Sequence, residues 1–280
     1  MWTVVGDLGL LGNDLRVELS EMGLDFKGFN RSNLDLDLPA EDIANYFDSS
    51  KVVVNAVAFT NVDASEHESE RANLVNGHYP GKLALAAAIA GAHFVHISTD
   101  YVFSGEASTP YSVADEPYPK TAYGASKLLG ERLVAGATED YTTFRTSWLY
   151  GKNGKCFPKA VAHKLSSGEG VQVVNDQVGS PTWSRDLAKL IISHDYSSKN
   201  HLVHATSQGS CSWFEFAKEI AWSMGFNADE LVQPIASADL ENAAPRPKYS
   251  VLDLSSTTNP IGNWRERWVA SADVILGSTH

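Results

Sequence analysis

Tyr123 and Lys127 stand four residues apart in the stretch EPYPKTAYGASKLLGERL, just after two prolines. Four residues are a little over one helical turn, so both side chains project from one face of a helix that begins near Thr121. A phenol with a pKa near ~10 is a weak acid, and a neighbouring ammonium brings its proton transfer closer to working pH. The pair predicts a proton donor for a ketone that receives hydride, with Lys127 also reaching a nicotinamide ribose. The alternative is a surface helix, because the YxxxK spacing is common.

A third candidate, Thr99, ends the apolar stretch HFVHIST, which reads as a buried strand. Its hydroxyl could hydrogen-bond the same carbonyl oxygen and hold it beside Tyr123, although a threonine can also merely end a strand. His93 and His96 in this stretch have no plausible third metal ligand, so we interpret them as ordinary strand residues.

Three glycines, Gly6, Gly9 and Gly12, lie in VVGDLGLLGNDL between the first predicted strand and the first predicted helix. Missing side chains allow a tight turn there and let a pyrophosphate approach the helix N-terminal amides. The spacing is GxxGxxG and differs from GxGxxG, so an ordinary glycine turn is the alternative. Its position in the first strand-helix unit favours a dinucleotide site.

The end of the second predicted strand, LDFKGFN, bears on the choice of coenzyme. NAD-selective sites usually place a carboxylate here for the ribose hydroxyls, and this chain has Asn30 and Arg31 instead. Arg31 could pair with a 2'-phosphate, which predicts NADPH with NADH still possible. The alternative is a solvated surface arginine.

The elements that position these residues alternate between strands and helices through the first half of the chain. Val-rich strands such as KVVVNAVAF, separated by amphipathic helices, predict an α/β fold with a doubly wound, parallel, Rossmann-like sheet. Ligands in such sheets lie beyond the carboxyl ends of the strands. We expect a dinucleotide-binding domain formed by residues 1–148 plus about 181–205. A smaller, partly interleaved substrate-binding lobe would comprise about 149–180 and 206–280.

Composition restricts the partners. The 280 residues are 43% hydrophobic and 20% charged, which is typical of a globular protein. The formal charge of -12 argues against nucleic acid or an anionic membrane as the main partner, whereas a small anion could bind through local cations. Only Cys156 and Cys211 are present, and the chain begins MWTVVGDLG without a basic leader. We therefore expect a cytoplasmic protein without a disulfide framework.

Longer motifs extend this interpretation. The segments NAVAFTNVDASE, STDYVFSG, YGASKLLGE, RTSWLYG, VVNDQVGSPTW and RPKYSVLD follow one another along the chain. With them the sequence resembles the extended short-chain dehydrogenase/reductases, and among these the dTDP-4-dehydrorhamnose reductase family. The resemblance runs from Val4 to about Trp264. DQVGSPT and RPKYSVLD are its most specific parts, although alone they would read as a turn and a solvated charged segment.

The resemblance implies roles for individual residues. Tyr123 would be the acid, Lys127 its partner and Thr99 the carbonyl donor. Asp100 and Trp148 would face the sugar, Arg246 would be the best cation for the diphosphate, and Ser250 is a weaker substrate candidate. The implied cofactor contacts are Gly9, Leu10 and Leu11 in the first turn, Asp35 and Leu36 near adenine, and Ala56, Ala58 and Thr60 after the next strand.

The chain departs from the family pattern at three positions. Asp7 in the first turn would repel pyrophosphate unless it faces away, Val57 replaces a small alanine and could crowd the cofactor, and Cys156 stands where Asn or Asp is common. Some members carry magnesium at a subunit contact through glutamates. This chain has Arg185 and Asp186 there, so a magnesium site is not predicted.

The resemblance implies NADPH-dependent reduction of the C4 ketone of dTDP-4-dehydro-L-rhamnose to dTDP-L-rhamnose, by a monomer or homodimer. One alternative is a 4-ketoreductase for another dTDP-deoxysugar, because the same catalytic pieces would serve a different sugar. Another is a non-catalytic regulatory subunit like that of methionine adenosyltransferase. The set of Thr99, Tyr123 and Lys127 favours an enzyme, although a fold alone does not establish activity.

Overall fold

The computed structural model describes residues 1–198, 200–240 and 244–277. Its strands are β1 (Trp2–Val5), β2 (Phe26–Phe29), β3 (Val52–Asn55), β4 (His93–Thr99), β5 (Tyr141–Thr146), β6 (Leu149–Tyr150), β7 (Val171–Val174), β8 (Val178–Gly179), β9 (Thr182–Trp183), β10 (Leu202–His204), β11 (Ser207–Gln208), β12 (Cys211–Ser212), β13 (Val232–Ile235) and β14 (Ile261–Asn263).

The helices lie between these strands, singly or in groups. They are α1 (Leu10–Glu21), α2 (Ala40–Ala44), α3 (Val62–His67), α4 (Ser69–Asn73), α5 (Tyr79–Ile89), α6 (Ala122–Ala137), α7 (Phe157–Ser166), α8 (Ser184–Ser193), α9 (Trp213–Ser223), α10 (Ala228–Leu231) and α11 (Trp264–Leu276). A π-helical turn, Leu74–His78, joins α4 to α5.

The central sheet has the strand order β2-β1-β3-β4-β5-β10, and every neighbouring pair is parallel. The chain steps from β1 to β2 in one direction and then to β3 on the other side of β1. The loops after β1 and β3 therefore diverge at one edge, the topological switch point where open α/β sheets bind ligands. The predicted Rossmann-like fold is confirmed.

Apolar side chains cover both faces of this sheet, as its continuous Val-rich strands predict. Val4, Val54 and Val95 pack with α1 and α8 on one face. Val5 and Phe94 pack with α2 and α5 on the other. Because consecutive strand residues alternate between faces, each strand contributes to both layers.

A separate core lies in the C-terminal half. Its residues come mainly from β6, β7, β13, α7, α9 and α11, with Phe216 and Trp268 fully buried at the centre. Helix α8 and strand β10 pack instead on the central sheet. Of the helices in the described ranges, none combines the length and the apolar character needed to cross a bilayer.

Candidate active site

The first turn takes its shape from glycine. Gly6 has φ +87°, and a Cβ there would lie 2.9 Å from the backbone of Ala56 on the neighbouring crossover. Gly12 lies inside the first turn of α1, not between strand and helix as expected. Its missing side chain lets the helix pack onto the turn, because a Cβ would stand 2.1 Å from the Gly6 carbonyl oxygen.

The N-terminus of α1 is suited to bind an anion. Gly9 caps it without a side-chain hydrogen bond, and no acidic residue lies in the first turn. Asp7 points away toward β2, where its carboxylate accepts a 2.9 Å hydrogen bond from the Asn30 side chain and lies 3.6 Å from Arg16. These features fit the pyrophosphate of a dinucleotide.

A cavity of about 480 Å³ opens at the switch point, above the carboxyl ends of the strands. Its wall is formed by the first turn, the segment after β3, the end of β4, the helix α6 and the segment after β5. The lining residues are Gly9, Leu10, Leu11, Ala56, Val57, Ala58, Thr60, Ile97, Ser98, Thr99, Tyr123, Lys127, Thr146, Ser147, Trp148, Leu149, Gly154 and Lys155.

Thr99, Tyr123 and Lys127 meet on one wall of this cavity. Helix α6 begins at Ala122, one residue after its N-cap Thr121, whose side chain accepts a 2.9 Å hydrogen bond from the Gly124 amide. The helix therefore starts where the sequence predicted. Lys127 is buried, and its Nζ donates a 2.5 Å hydrogen bond to the Ile97 carbonyl oxygen of β4.

Burial sets the ionisation of the Tyr-Lys pair. Removal from water raises the pKa of Tyr123 to about 12, partly offset by the Thr99 hydroxyl, so the phenol keeps its proton at neutral pH. Removal from water also lowers the pKa of Lys127 to about 8, and the Glu131 carboxylate opposes that change. At neutral pH the pair is therefore a protonated phenol beside an ammonium.

Asp100 lies directly behind Thr99 and is almost fully buried. Its Oδ1 accepts a 2.9 Å hydrogen bond from the Thr99 hydroxyl, and its Oδ2 has no partner among the described residues. Burial raises the pKa of Asp100 to about 7, although Ser250 and Thr99 partly stabilise the anion. A buried carboxylate oxygen without a partner is costly. Asp100 is not among the residues that line the main cavity, so the structure places it behind Thr99 and not in contact with the sugar space as predicted.

We expect Asp100→Asn to be more stable than the parent protein at pH 8. The folded protein binds the Asp100 proton up to pH about 7, whereas the unfolded chain releases it near 3.8. The parent therefore loses stability as pH rises through this window, on the order of 2 kcal/mol between pH 5.5 and 8. Thermal unfolding of both proteins at several pH values measures the difference. A difference that does not grow with pH would contradict the assignment.

Trp148 forms the far wall of the cavity and has the strained backbone φ of +46°. Its indole stacks on Trp213 with ring centroids 3.5 Å apart and lies against Gly179, where a Cβ would be 2.5 Å from the ring. The glycine of DQVGSPT thus leaves room for the indole. The Val178 amide donates a hydrogen bond to the Lys248 carbonyl oxygen, and the Val178 carbonyl oxygen accepts one from the Ser250 amide, so the two most specific motifs lie side by side.

Comparisons with known proteins show the family of this chain. Residues 2–278 match the family described as RmlD substrate binding domain. The chain belongs to the RmlD family. A dTDP-4-dehydrorhamnose reductase of Mycobacterium tuberculosis is 37% identical over 99% of this chain and 93% of its own. A probable dTDP-4,6-dihydroxy-2-methyloxan-3-one 4-ketoreductase of Streptomyces antibioticus is 35% identical, and the match covers 100% of this chain and 97% of that protein.

Solved structures of the RmlD family share the architecture. The dTDP-4-dehydrorhamnose reductase of Bacillus anthracis, solved in complex with NADP, superposes with a TM-score of 0.88 at 33% identity, and the match covers 95% of each chain.

Several residues predicted for this RmlD-family site lie outside the main cavity. Arg31 and Asp35 are exposed beyond β2, and Leu36 packs toward the core beneath the sheet. Ser250 is buried behind Asp100. The predicted adenine contacts are thus separate from the catalytic wall, because β2 is the edge strand.

Arg246 lines a second cavity of about 290 Å³. Trp213 and Gln177 also line it, and the Trp148–Trp213 stack connects the two cavities. In this RmlD-family chain Arg246 is paired with Asp63, at 2.8 Å, so the predicted diphosphate cation already has a carboxylate partner.

Sequence reasoning missed Lys155, which lines the main cavity beside the α1 N-terminus. Only its closeness to the motif RTSWLYG could have indicated it. Cys156, left open above, is half-buried and packs against the C-terminal core. Arg185 pairs with Glu18 and Glu21, and the described residues contain no cluster of three metal-binding side chains.

Proposed function

We propose that this protein reduces the C4 ketone of dTDP-4-dehydro-L-rhamnose with NADPH and releases dTDP-L-rhamnose. The observation that carries the proposal is the convergence of Thr99, Tyr123 and Lys127 on the wall of one cavity that also includes the α1 N-terminus. Family membership and the dTDP-sugar reductases among the relatives support the same reaction. The Thr-Tyr-Lys set argues against a purely regulatory subunit.

Each of these three residues has a chemical task in this proposal. Bound NADPH supplies the hydride. The phenol of Tyr123 donates its proton to the sugar oxygen, and the ammonium of Lys127 stabilises the phenolate that remains. On substrate binding the Thr99 hydroxyl would turn its one proton from Asp100 to the same sugar oxygen and stabilise the developing negative charge there. Trp148 would orient the sugar ring, and Asp100 would hold Thr99 from behind, since fixed geometry supplies a large part of such rate enhancements.

The dinucleotide would bind through the glycine turn and the segment after β3. Leu10 and Leu11 would present backbone amides to the pyrophosphate, while the Gly9 amide donates to the Gly6 carbonyl oxygen within the turn. Gly9, Ala56, Ala58 and Thr60 also line the cavity. Val57 also lines the cavity. In this proposal residues 1–148 with about 181–205 form the dinucleotide domain.

The nucleotide part of the substrate would occupy the second cavity. Arg246 lies there beside the apolar side chains of Phe157 and Trp213, which suits a diphosphate attached to a planar base. Asp63 would have to yield Arg246 to the diphosphate. The substrate lobe in this proposal comprises about 149–180 and 206–280. We further propose that the protein is a cytoplasmic monomer or homodimer.

Reduction of another dTDP-4-keto sugar is the second candidate function, because the S. antibioticus relative is named for a different dTDP-sugar ketone. The test supplies NADPH with dTDP-4-dehydro-L-rhamnose, follows the nicotinamide absorbance and identifies the product by NMR. We expect oxidation of one NADPH per sugar and a rhamnose-configured product. Turnover only with another dTDP-4-keto sugar would replace the substrate, and no oxidation with either would reject the reductase.

We expect Arg31→Ala to lower the preference for NADPH over NADH, by roughly tenfold if a charge-assisted contact to the 2'-phosphate is lost. Arg31 is exposed just beyond the edge strand β2. Dissociation constants of both coenzymes measure the ratio. Arg132→Ala, which removes an exposed arginine from α6, is the matched control. An unchanged ratio in Arg31→Ala would show that Arg31 does not set coenzyme choice.

A further inference from the structure

A buried ion pair lies beneath the Tyr-Lys pair. Glu131 stands one turn beyond Lys127 on the same face of α6, so the positions 123, 127 and 131 form one stripe. Arg145 on β5 donates two hydrogen bonds to the Glu131 carboxylate, at 2.9 Å from Nε and 2.7 Å from Nη2. The exposed fractions of the two side chains are 3% for Arg145 and 11% for Glu131.

Strand β4 connects this ion pair to the cavity wall. The Ser98 hydroxyl donates a 2.5 Å hydrogen bond to Glu131, while the preceding residue, Ile97, accepts the 2.5 Å hydrogen bond from Lys127. Ile97, Ser98 and Lys127 all line the cavity. The Glu131 carboxylate therefore has three donors in place and is held on the side of Lys127 away from Tyr123.

The groups around Lys127 leave Glu131 as its main counter-charge. His96 on β4 is fully buried with neither ring nitrogen partnered within the described residues, and burial keeps its pKa well below the usual value, so it is neutral. Tyr123 on α6 is also neutral. The remaining charged groups are Arg145, already paired with Glu131, Lys155 at the cavity wall and the partly ionised Asp100 after β4.

We propose that Glu131 is a positioning residue that keeps the buried ammonium of Lys127 charged and fixed against the Ile97 carbonyl, with Arg145 and Ser98 holding its carboxylate in place. An ammonium buried without an opposite charge loses its proton easily. Glu131 supplies that charge without touching the reacting atoms. This proposal rests on one part of the proposed function, namely that Lys127 contacts the bound dinucleotide.

The competing explanation is that the pair merely stabilises the fold. Asp186 and Arg267 provide the comparison, because they form the same two-bond arrangement at 2.7 and 2.9 Å on α8 and α11, away from the main cavity. Arg267 is 29% exposed, so this pair is less buried than Glu131–Arg145, but breaking either pair leaves an unpaired charge and lowers stability. Only the loss of Glu131 changes the charge beside Lys127.

The experiment measures the NADPH dissociation constant from pH 6 to 10 by nucleotide fluorescence, with no sugar present. In the parent protein we expect affinity to weaken as Lys127 loses its proton. The pH at which half of this loss of affinity has occurred is the midpoint. Lys127→Met should show no such midpoint, which assigns the midpoint to Lys127 without any measurement of turnover. Glu131→Gln should move the midpoint down by at least half a pH unit, because a negative charge beside the ammonium is lost.

The controls test the sign of the effect. Asp186→Asn should leave the midpoint unchanged even if it melts at lower temperature. Arg145→Gln removes a positive charge and should move the midpoint up. An unmoved midpoint in Glu131→Gln, or an equal shift in Asp186→Asn, would overturn the proposal. If Glu131→Gln does not fold, Arg145→Gln tests the proposal instead. A midpoint in Arg145→Gln that is unchanged or lower than in the parent protein would overturn the proposal.

Discussion

Tyr123→Phe should lower turnover by on the order of 10²-fold or more while the NADPH dissociation constant changes little. The substitution removes one hydroxyl, the proposed proton donor to the sugar oxygen, and leaves the ring and its edge-to-face contact with Tyr101 in place. Phenylalanine has no proton to donate, so protonation of the sugar oxygen would depend on a less well placed donor. Stopped-flow NADPH absorbance with the dTDP-sugar measures the step.

Tyr118→Phe is the matched control for this prediction. Tyr118 is 64% exposed and lies shortly before α6, so loss of its hydroxyl should leave turnover unchanged. Near-full turnover in Tyr123→Phe would remove Tyr123 from the chemistry. A loss of NADPH binding equal to the loss of turnover would make its role one of binding.

Gly12→Ala should weaken NADPH binding by at least tenfold and lower the unfolding temperature. The added Cβ would lie 2.1 Å from the Gly6 carbonyl oxygen and 2.8 Å from the Asp7 Cα. Neither backbone atom can move without displacing the turn that presents the α1 amides. A clash of this kind in a packed region typically costs about 1–3 kcal/mol.

Gly136→Ala separates this clash from the general effect of alanine in a helix. Gly136 is exposed on α6, and a Cβ added there would have no atom within 4 Å. Alanine there should raise stability by roughly 0.5–1 kcal/mol and leave NADPH binding unchanged. Calorimetry and fluorescence titration measure both effects. Equal behaviour of the two variants would show that the turn tolerates a side chain.

Much of the fold could be predicted because local patterns and tertiary structure agree here. Val-rich strands buried on both faces give a parallel sheet, and the position of Thr121 before AYGASK gives the start of α6. The helical spacing of Tyr123 and Lys127 also placed them on one face. These features depend on neighbours in sequence, which a single chain displays directly.

The features that sequence reasoning missed depend on distant neighbours. Arg246 was predicted to be the best local cation for the diphosphate, and its pairing with Asp63 joins residues 183 positions apart. Lys155 reaches the cavity only because its loop packs beside α1. Gly12 was placed in the turn because three glycines read as one connection, whereas the close approach to Gly6 shows why a helix residue must be glycine.

The most direct test of the central claim uses NADPH carrying deuterium at the transferred position of C4 of the nicotinamide. Incubated with the protein and dTDP-4-dehydro-L-rhamnose, it should give dTDP-L-rhamnose labelled with one deuterium at the sugar C4, and Tyr123→Phe should slow this labelling on the order of 10²-fold. Label at another carbon, or NADPH left unoxidised while both ligands bind, would contradict the account.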